Sequence, residues 1–378
     1  MQAPIKHIYI HFPFCVKKCP YCSFYSVNYN QKKAIKYLKI IKEEYNCYHD
    51  RFVIEPETIY FGGGTPSLLD PDQLADLLTL LSPGENTEIT LEINPINVNE
   101  NYLSSLKRSG INRLSLGVQS MIDKELQLLG RLHDSDQVRN SIRMIQTTGF
   151  ENTSFDLIYG LPDQKLAEVK HSLIQLLAYR SQHFSVYCLS LDQHVPLFKI
   201  SSRIPSDELV SSMYYQIRKM LLAAGFEQYE ISNFCLPGFQ SRHNTAYWNN
   251  KEYLGLGASA SGYIAGKRYK NPSDLEKYKR NIRQKMIFPA SEKLSPEERE
   301  KEFIFLNLRK AEGIDPKIYG TTFGQDFSKK YRELIDKLSV NGFLEINKGK
   351  IRLTAGAYFV SDEIFKEFFL YLDKINKV

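Results

Sequence analysis

Short apolar, β-branched or aromatic runs recur along the first half of the chain, at residues 8–12, 58–61, 89–93, 113–118, 154–159 and 184–189. Between them, residues 32–48, 71–81, 100–109, 135–148 and 164–179 carry apolar side chains three and four apart. The pattern predicts six strands alternating with helices, and hence a parallel sheet with right-handed crossovers. Six βα units are too few for a closed eight-stranded barrel, which leaves an open partial barrel or a doubly wound sheet. A further helix is expected over 206–224, followed by a Gly, Asn and aromatic-rich stretch at 225–266 and a basic helical segment to about 285. Helical periods at 297–308 and 325–340, then a hairpin from 342–346 and 351–354 across the turn 347–350, suggest a small winged-helix-like unit. The expected division is therefore 1–225, 226–290 and 291–378.

The unusual residues fall at strand ends. A cysteine-bearing loop follows the first strand, Gly62-Gly63-Gly64-Thr65-Pro66 follows the second, and Glu92-Ile93-Asn94-Pro95 ends the third; Gln119 ends the fourth and Asp156 lies in the fifth. These are the edges at which βα barrels and open α/β sheets place their sites, which favours the barrel-like curvature.

Length and composition change this picture little. A chain of 378 residues, 43% hydrophobic and 24% charged, suits a folded protein of two or three domains. No apolar run of 18 residues and no charged-then-apolar leader occurs, so a cytoplasmic protein with reduced thiols is expected. The net charge of +6 is concentrated toward the end, most sharply at 267–285, where eight basic residues face Asp274 and Glu276. Such a stretch attracts an anionic partner, or is simply a solvated face.

Cys15, Cys19 and Cys22 stand in a CxxxCxxC spacing. Loops this short bridge poorly and an odd cluster leaves one sulfur over, so disulfides are disfavoured. Three thiolates hold three irons of a [4Fe-4S] cluster and leave the fourth open to a ligand. With His11 they would alternatively complete a tetrahedral Cys3His zinc site, and inert thiols are the third reading. The glycine triplet frees a backbone to approach a ligand, but it lacks the GK[ST] ending and the GxGxxG spacing of nucleotide-phosphate loops. Beside a cysteine cluster it suits a ligand with an α-amino group and a carboxylate. Glu92 and Asp156, acidic in otherwise apolar strands, suit ribose hydroxyls or an ammonium, or else salt bridges lining a barrel mouth. Arg131 offers a planar fork for a carboxylate, or is an ordinary surface arginine.

Together, CxxxCxxC after the first strand, GGGTP after the second, ExNP, GVQS, GRLH and FDLIYGLP resemble the radical S-adenosylmethionine proteins. The resemblance is to the branch that holds oxygen-independent coproporphyrinogen III dehydrogenase and the HemW-type haem chaperones. It implies a partial (β/α)6 radical-SAM barrel in which Cys15, Cys19 and Cys22 carry a [4Fe-4S] cluster whose open iron takes S-adenosylmethionine. It also implies that Tyr9, Gly63, Gly64, Thr65, Glu92, Gln119, Arg131 and Asp156 surround that cofactor. The dehydrogenases carry a further cysteine two residues after the third, where this chain has Phe24. Arg242-His243-Asn244-Thr245-Ala246-Tyr247-Trp248 matches the HNxxYW pattern of the haem chaperones, which implies His243 as an axial iron ligand with Tyr247 and Trp248 packed on the macrocycle. The implied function is delivery of haem to acceptor haemoproteins, such as membrane respiratory ones. The rivals are oxidative decarboxylation of coproporphyrinogen III and, through the basic stretch and winged tail, nucleic-acid modification. The lack of an RNA-binding signature argues against the last.

Overall fold

Alternation within each strand decides the shape of the molecule. The computed structural model describes residues 3–288 and 291–376. In β1 (Ile5–Phe12), Ile8, Ile10 and Phe12 are buried while His7, Tyr9 and His11 take the opposite face. In β2 (Ile54–Gly63), β3 (Glu88–Ile93) and β4 (Arg113–Gln119), the apolar positions Ile59 and Phe61, Leu91 and Ile93, and Leu114 and Leu116 likewise alternate with Thr58 and Tyr60, Thr90 and Glu92, and Arg113 and Ser115. β5 (Thr153–Tyr159) and β6 (His183–Cys188) repeat the pattern. A parallel sheet buried by helices on both faces reads apolar throughout. Here one face is polar, so helices cover one side and the other encloses a site.

The covering helices begin where the sequence supplies caps. Asn30 accepts from the Lys33 N–H at the start of α1 (Gln31–His49), and Asp70 with Pro71 opens α2 (Pro71–Leu81). α3 (Glu100–Arg108) follows Asn99, and Asp134 forms a capping box with Gln137 at α4 (Ser135–Thr147). α5 (Leu166–Leu177) and α6 (Asp207–Ala223) complete the layer. Their inward stripes, such as Leu74, Leu77, Leu78 and Leu81 on α2, are almost fully buried, each side chain contributing about 1.5–3 kcal/mol.

The six parallel strands lie in chain order, each added on the same side of the last. That order has no reversal point, which excludes the doubly wound alternative and gives an open (β/α)6 half-barrel. Three further strands of this sheet were not expected. β7 (Glu227–Glu230) and β8 (Asn233–Cys235) extend the β6 edge antiparallel, and β9 (Leu254–Leu256) joins the β1 edge in parallel, making nine strands in the order β9-β1-β2-β3-β4-β5-β6-β8-β7. All three are too short for a period to show, inside the stretch that reads as irregular. The same stretch holds α7 (Arg242–Trp248).

Beyond β9, strands β10 (Ser261–Ile264) and β11 (Lys267–Lys270) precede α8 (Leu275–Arg283), and β12 (Ser291–Lys293) completes their small sheet. α9 (Pro296–Arg309) then packs against the last helix, Ser361–Ile375, with the expected hairpin Leu344–Asn347 and Lys350–Leu353 beside them. The helix expected over 325–340 is broken into Phe327–Lys330 and Arg332–Val340. The basic stretch is not one free face, because Arg268 lies 3.9 Å from the Tyr263 ring centre and pairs with Glu302.

Glu44 on α1 ties this extension to the barrel. Its carboxylate accepts from the Gly257 N–H (2.8 Å), Asn271 Nδ2 (2.6 Å) and the Tyr278 hydroxyl. Burial pushes its acid up to about 7. The folded chain therefore holds a proton there that the unfolded chain has lost, and this group's contribution to stability falls as pH rises from about 4.5 toward 7. Glu44→Ala strands three donors in the interior and is expected to cost about 2–4 kcal/mol in urea unfolding at pH 6. A loss under 0.5 kcal/mol would show that the anchor is dispensable.

Candidate cofactor site

The polar face of the half-barrel encloses a cavity of about 470 Å³ that opens at the C-terminal ends of the strands. Cys15, Cys19 and Cys22 lie along its rim, and all three are free thiols. The loop that carries them is fixed at its start by pairing of Phe14–Cys15 with Val27–Asn28. The Thr65 hydroxyl donates to Cys15 Sγ at 3.5 Å, and Arg131 Nη1 donates to Cys19 Sγ at 3.8 Å. Arg131 Nη2 also holds the Gly117 carbonyl at 2.9 Å, which ties β4 to the cysteine loop.

Gly63 and Gly64 leave β2 against this loop, where no side chain fits. A Cβ on Gly64 would lie 2.7 Å from the Phe14 carbonyl oxygen and 3.0 Å from Cys15 Sγ. Gly63 has φ +112°, and a Cβ there would lie 2.6 Å from the His11 ring. Its N–H donates to Glu92 Oε2 (3.2 Å), whose other oxygen accepts from the Tyr60 hydroxyl (3.0 Å). Burial, then the neighbouring Asp156, pushes Glu92 up to about 7. Burial likewise raises Asp156 to about 6, against hydrogen bonds from Ser115 (3.0 and 3.1 Å) and Ser154 (3.1 Å). Gln119 ends β4 with φ +70°, a left-handed backbone uncommon outside glycine, and its side chain reaches the same cavity.

The fold thus gathers the three cysteines with Gly63, Gly64, Thr65, Glu92, Gln119, Arg131 and Asp156 around one space. Tyr9 stands one layer back, its ring stacked on Tyr60 (6.1 Å) and its hydroxyl 3.0 Å from His11 Nδ1. His11, the fourth ligand of the zinc alternative, is engaged elsewhere. Its Nε2 donates to the Tyr25 carbonyl (3.1 Å) and its Nδ1 takes the Tyr9 hydroxyl, so neither nitrogen is left for a metal. Among the described residues no three His, Cys, Asp or Glu side chains converge as a single ion requires.

The expected haem residues occupy different ground. α7 plugs the base of the half-barrel, where the Arg242 and His243 N–H groups donate to Glu88 (3.2 and 3.1 Å). The His243 ring is 1% exposed and stacks on Tyr60 (5.1 Å). Its Nδ1 lies 2.7 Å from Thr58 Oγ1 and its Nε2 2.8 Å from the Tyr247 hydroxyl. As folded, both ring nitrogens are therefore engaged within the protein. Tyr247 packs edge-on against Tyr253 (4.6 Å), and Trp248 lies under the Arg309 guanidinium (4.5 Å), which is itself held by Glu230 (2.7 Å). These contacts join α9 to the barrel base. His243→Ala is accordingly expected to lower the stability of the apo-protein by about 2–4 kcal/mol, measured by urea unfolding followed at Trp248. An unchanged midpoint would contradict the plug.

Comparison with known proteins fits this geometry. Residues 9–176 match the radical SAM superfamily and residues 294–360 the HemN C-terminal domain. The haem chaperone HemW of Lactococcus lactis is 36% identical, over 97% of this chain and 98% of its own. The chain belongs to the HemW family. HemW of Bacillus subtilis is 32% identical, over 96% of this chain and 99% of its own. Coproporphyrinogen III oxidase (HemN) of Escherichia coli shares the fold, with a TM-score of 0.85 at 22% identity over 98% of this chain and 91% of its own. Membership of a radical SAM family implies a [4Fe-4S] cluster and S-adenosylmethionine, and the residues present fit both: three free thiols on one rim, and beside them a glycine cradle with paired carboxylates.

Sequence reasoning missed Tyr60, Arg113, Ser115, Ser185 and Tyr187, which also line the cavity. The signal that finds Tyr60, Ser115 and Ser185 is the period of two: each is a polar position between buried apolar neighbours in its strand, whereas Arg113 and Tyr187 stand toward strand ends, where the period gives no signal.

Proposed function

We propose that this HemW-family protein binds haem and passes it to acceptor haemoproteins, with a [4Fe-4S] cluster on Cys15, Cys19 and Cys22 and S-adenosylmethionine at the iron they leave open. The observation that carries the reading is the near full-length similarity to proteins named haem chaperones, together with Phe24 in place of a further cysteine. When bound, the cluster supplies an open, reducible iron. In this reading the chain's own residues position the cofactor: Arg131 takes a carboxylate, Glu92 and Asp156 face cationic or hydroxyl groups, and the glycine backbone lies close enough for direct hydrogen bonds.

The cavity mouth supports a flat, amphipathic, dianionic ligand. Phe24, 66% exposed, stands there beside Lys17 and Lys18, an apolar surface next to ammonium groups suited to propionates. Haem ligation by His243 would require its bonds to Thr58 and Tyr247 to open. Decarboxylation of coproporphyrinogen III is the second reading, favoured by the HemN-like fold. Anaerobic assay for coproporphyrinogen loss distinguishes it, and no loss is expected.

The carboxylates make a pH dependence. A cationic ligand favours their ionised forms, whereas below about pH 6 both Asp156 and Glu92 hold protons in the free protein. Affinity for S-adenosylmethionine should rise up to about tenfold per unit between pH 5.5 and 7 and level off near 8. Calorimetric titration of the reconstituted protein reads this, and Glu92→Gln should flatten the profile. A flat wild-type profile would remove these carboxylates from the site.

A further inference from the structure

One guanidinium inside the half-barrel has no hydrogen-bonded partner. Arg113 opens β4, is 2% exposed, and lines the cavity. Its guanidinium makes no hydrogen bond or ion pair among the described residues, and its Nε is enclosed without a partner. Thr90, opposite it in register on β3, has an equally enclosed and unpartnered hydroxyl. No group around it pairs with it directly. Asp156 offers it charge across the cavity but no hydrogen bond, since its oxygens accept from Ser115 and Ser154. His183 and His243 are buried and kept uncharged. An arginine cannot shed its proton, and an unpaired buried charge is costly.

Depth separates this charge from the rim. Gln119 lies six residues on from Arg113, roughly 20 Å along β4, whereas Arg131 already stands at the cysteines with a fork of its own. A planar donor set with vacant N–H groups, at the floor of a cavity and beside a vacant hydroxyl, matches a carboxylate.

We propose that Arg113 is the receptor for a ligand carboxylate at the floor of the cavity. A tetrapyrrole could bring that group through a propionate, whereas the one carboxylate of S-adenosylmethionine is placed with Arg131 at the rim. The proposal rests on the haem reading above.

The test uses cluster-reconstituted wild type, Arg113→Gln and Arg113→Lys, titrated separately with haem, haem dimethyl ester and S-adenosylmethionine. Arg113→Gln should weaken haem tenfold or more and leave the ester and S-adenosylmethionine unchanged, with Arg113→Lys recovering part of the loss. Wild type that binds haem while Arg113→Gln binds it equally well overturns the receptor alone, as does an ester that weakens as much as the acid. Wild type that binds no haem removes the haem reading and this proposal with it. Thermal unfolding of the apo-proteins guards against a structural role: Tm should stay or rise in Arg113→Gln, because an uncompensated charge has gone. A fall of several degrees in both variants would show that the guanidinium serves the fold and would also overturn the proposal.

Discussion

Replacing Cys19 with serine is expected to eliminate the iron-sulfur centre, taking reconstituted iron from roughly four atoms per chain to near none. A [4Fe-4S] cluster on three thiolates already lacks one protein ligand, so a further loss leaves two irons without protein donors. No spare thiol replaces it. Cys47 lies on α1 and Cys235 on β8, and neither lines the cavity; Cys188 lines it, but at the end of β6 rather than in the cysteine loop. His11 is held by Tyr9 and Tyr25. Cys15→Ser and Cys22→Ser should behave alike, while Cys47→Ser keeps full iron and sulfide. Anaerobic reconstitution with iron, sulfide and visible absorption measurements checks this. A Cys19→Ser protein that retained the full content would place the cluster elsewhere, and zinc bound in its stead would revive a structural metal site.

Gly64→Ala is expected to have the second-largest effect, although it adds one methyl group. That methyl would lie 2.7 Å from the Phe14 carbonyl oxygen and 2.9 Å from the Pro13 carbonyl carbon. Both are backbone atoms and cannot rotate aside. They are also held by the loop's own bonds: Gly64 N–H to Phe12 O at 2.8 Å and Thr65 N–H to Phe14 O at 2.9 Å. The loop must therefore move, carrying Cys15 with it, at a cost of about 2–3 kcal/mol. Cluster content should fall at least tenfold. Gly84→Ala is the control, since its nearest atom would be Thr87 Oγ1 at 3.9 Å; it should change neither stability nor cluster content. Equal behaviour of the two variants would mean that the close approach of β2 to the cysteine loop does not matter.

The legible and illegible parts of this molecule differ in scale. The six parallel strands were readable because each carries a buried apolar run between capped amphipathic helices, and α2 falls at Pro71–Leu81 as its leucine period indicates. The rim of the site was readable because cysteines, a glycine triplet and acids in apolar strands are costly unless used. What escaped was decided by tertiary contact. β9 is three residues long and exists because the β1 edge offers a partner. α7 spans seven residues, and Glu88, far away in sequence, caps it. Arg113 reads as an ordinary charged residue at a strand start until the barrel closes around it. The partners of His243 were likewise illegible: the motif suggests a ligand, and only the fold shows both ring nitrogens hydrogen-bonded, to Thr58 and Tyr247. The final helix Ser361–Ile375 did carry a readable period, with Ile364, Phe365, Phe368 and Leu372 buried on one face.

The most direct test of haem delivery is to load the cluster-reconstituted protein with haem anaerobically, mix it with an apo-haemoprotein, and follow the Soret band as it moves to the acceptor's spectrum. The account predicts a complete shift with wild type and loss of that transfer in Cys19→Ser. Haem that stays on the protein, or that reaches the acceptor no faster than free haem and equally from Cys19→Ser, would contradict it.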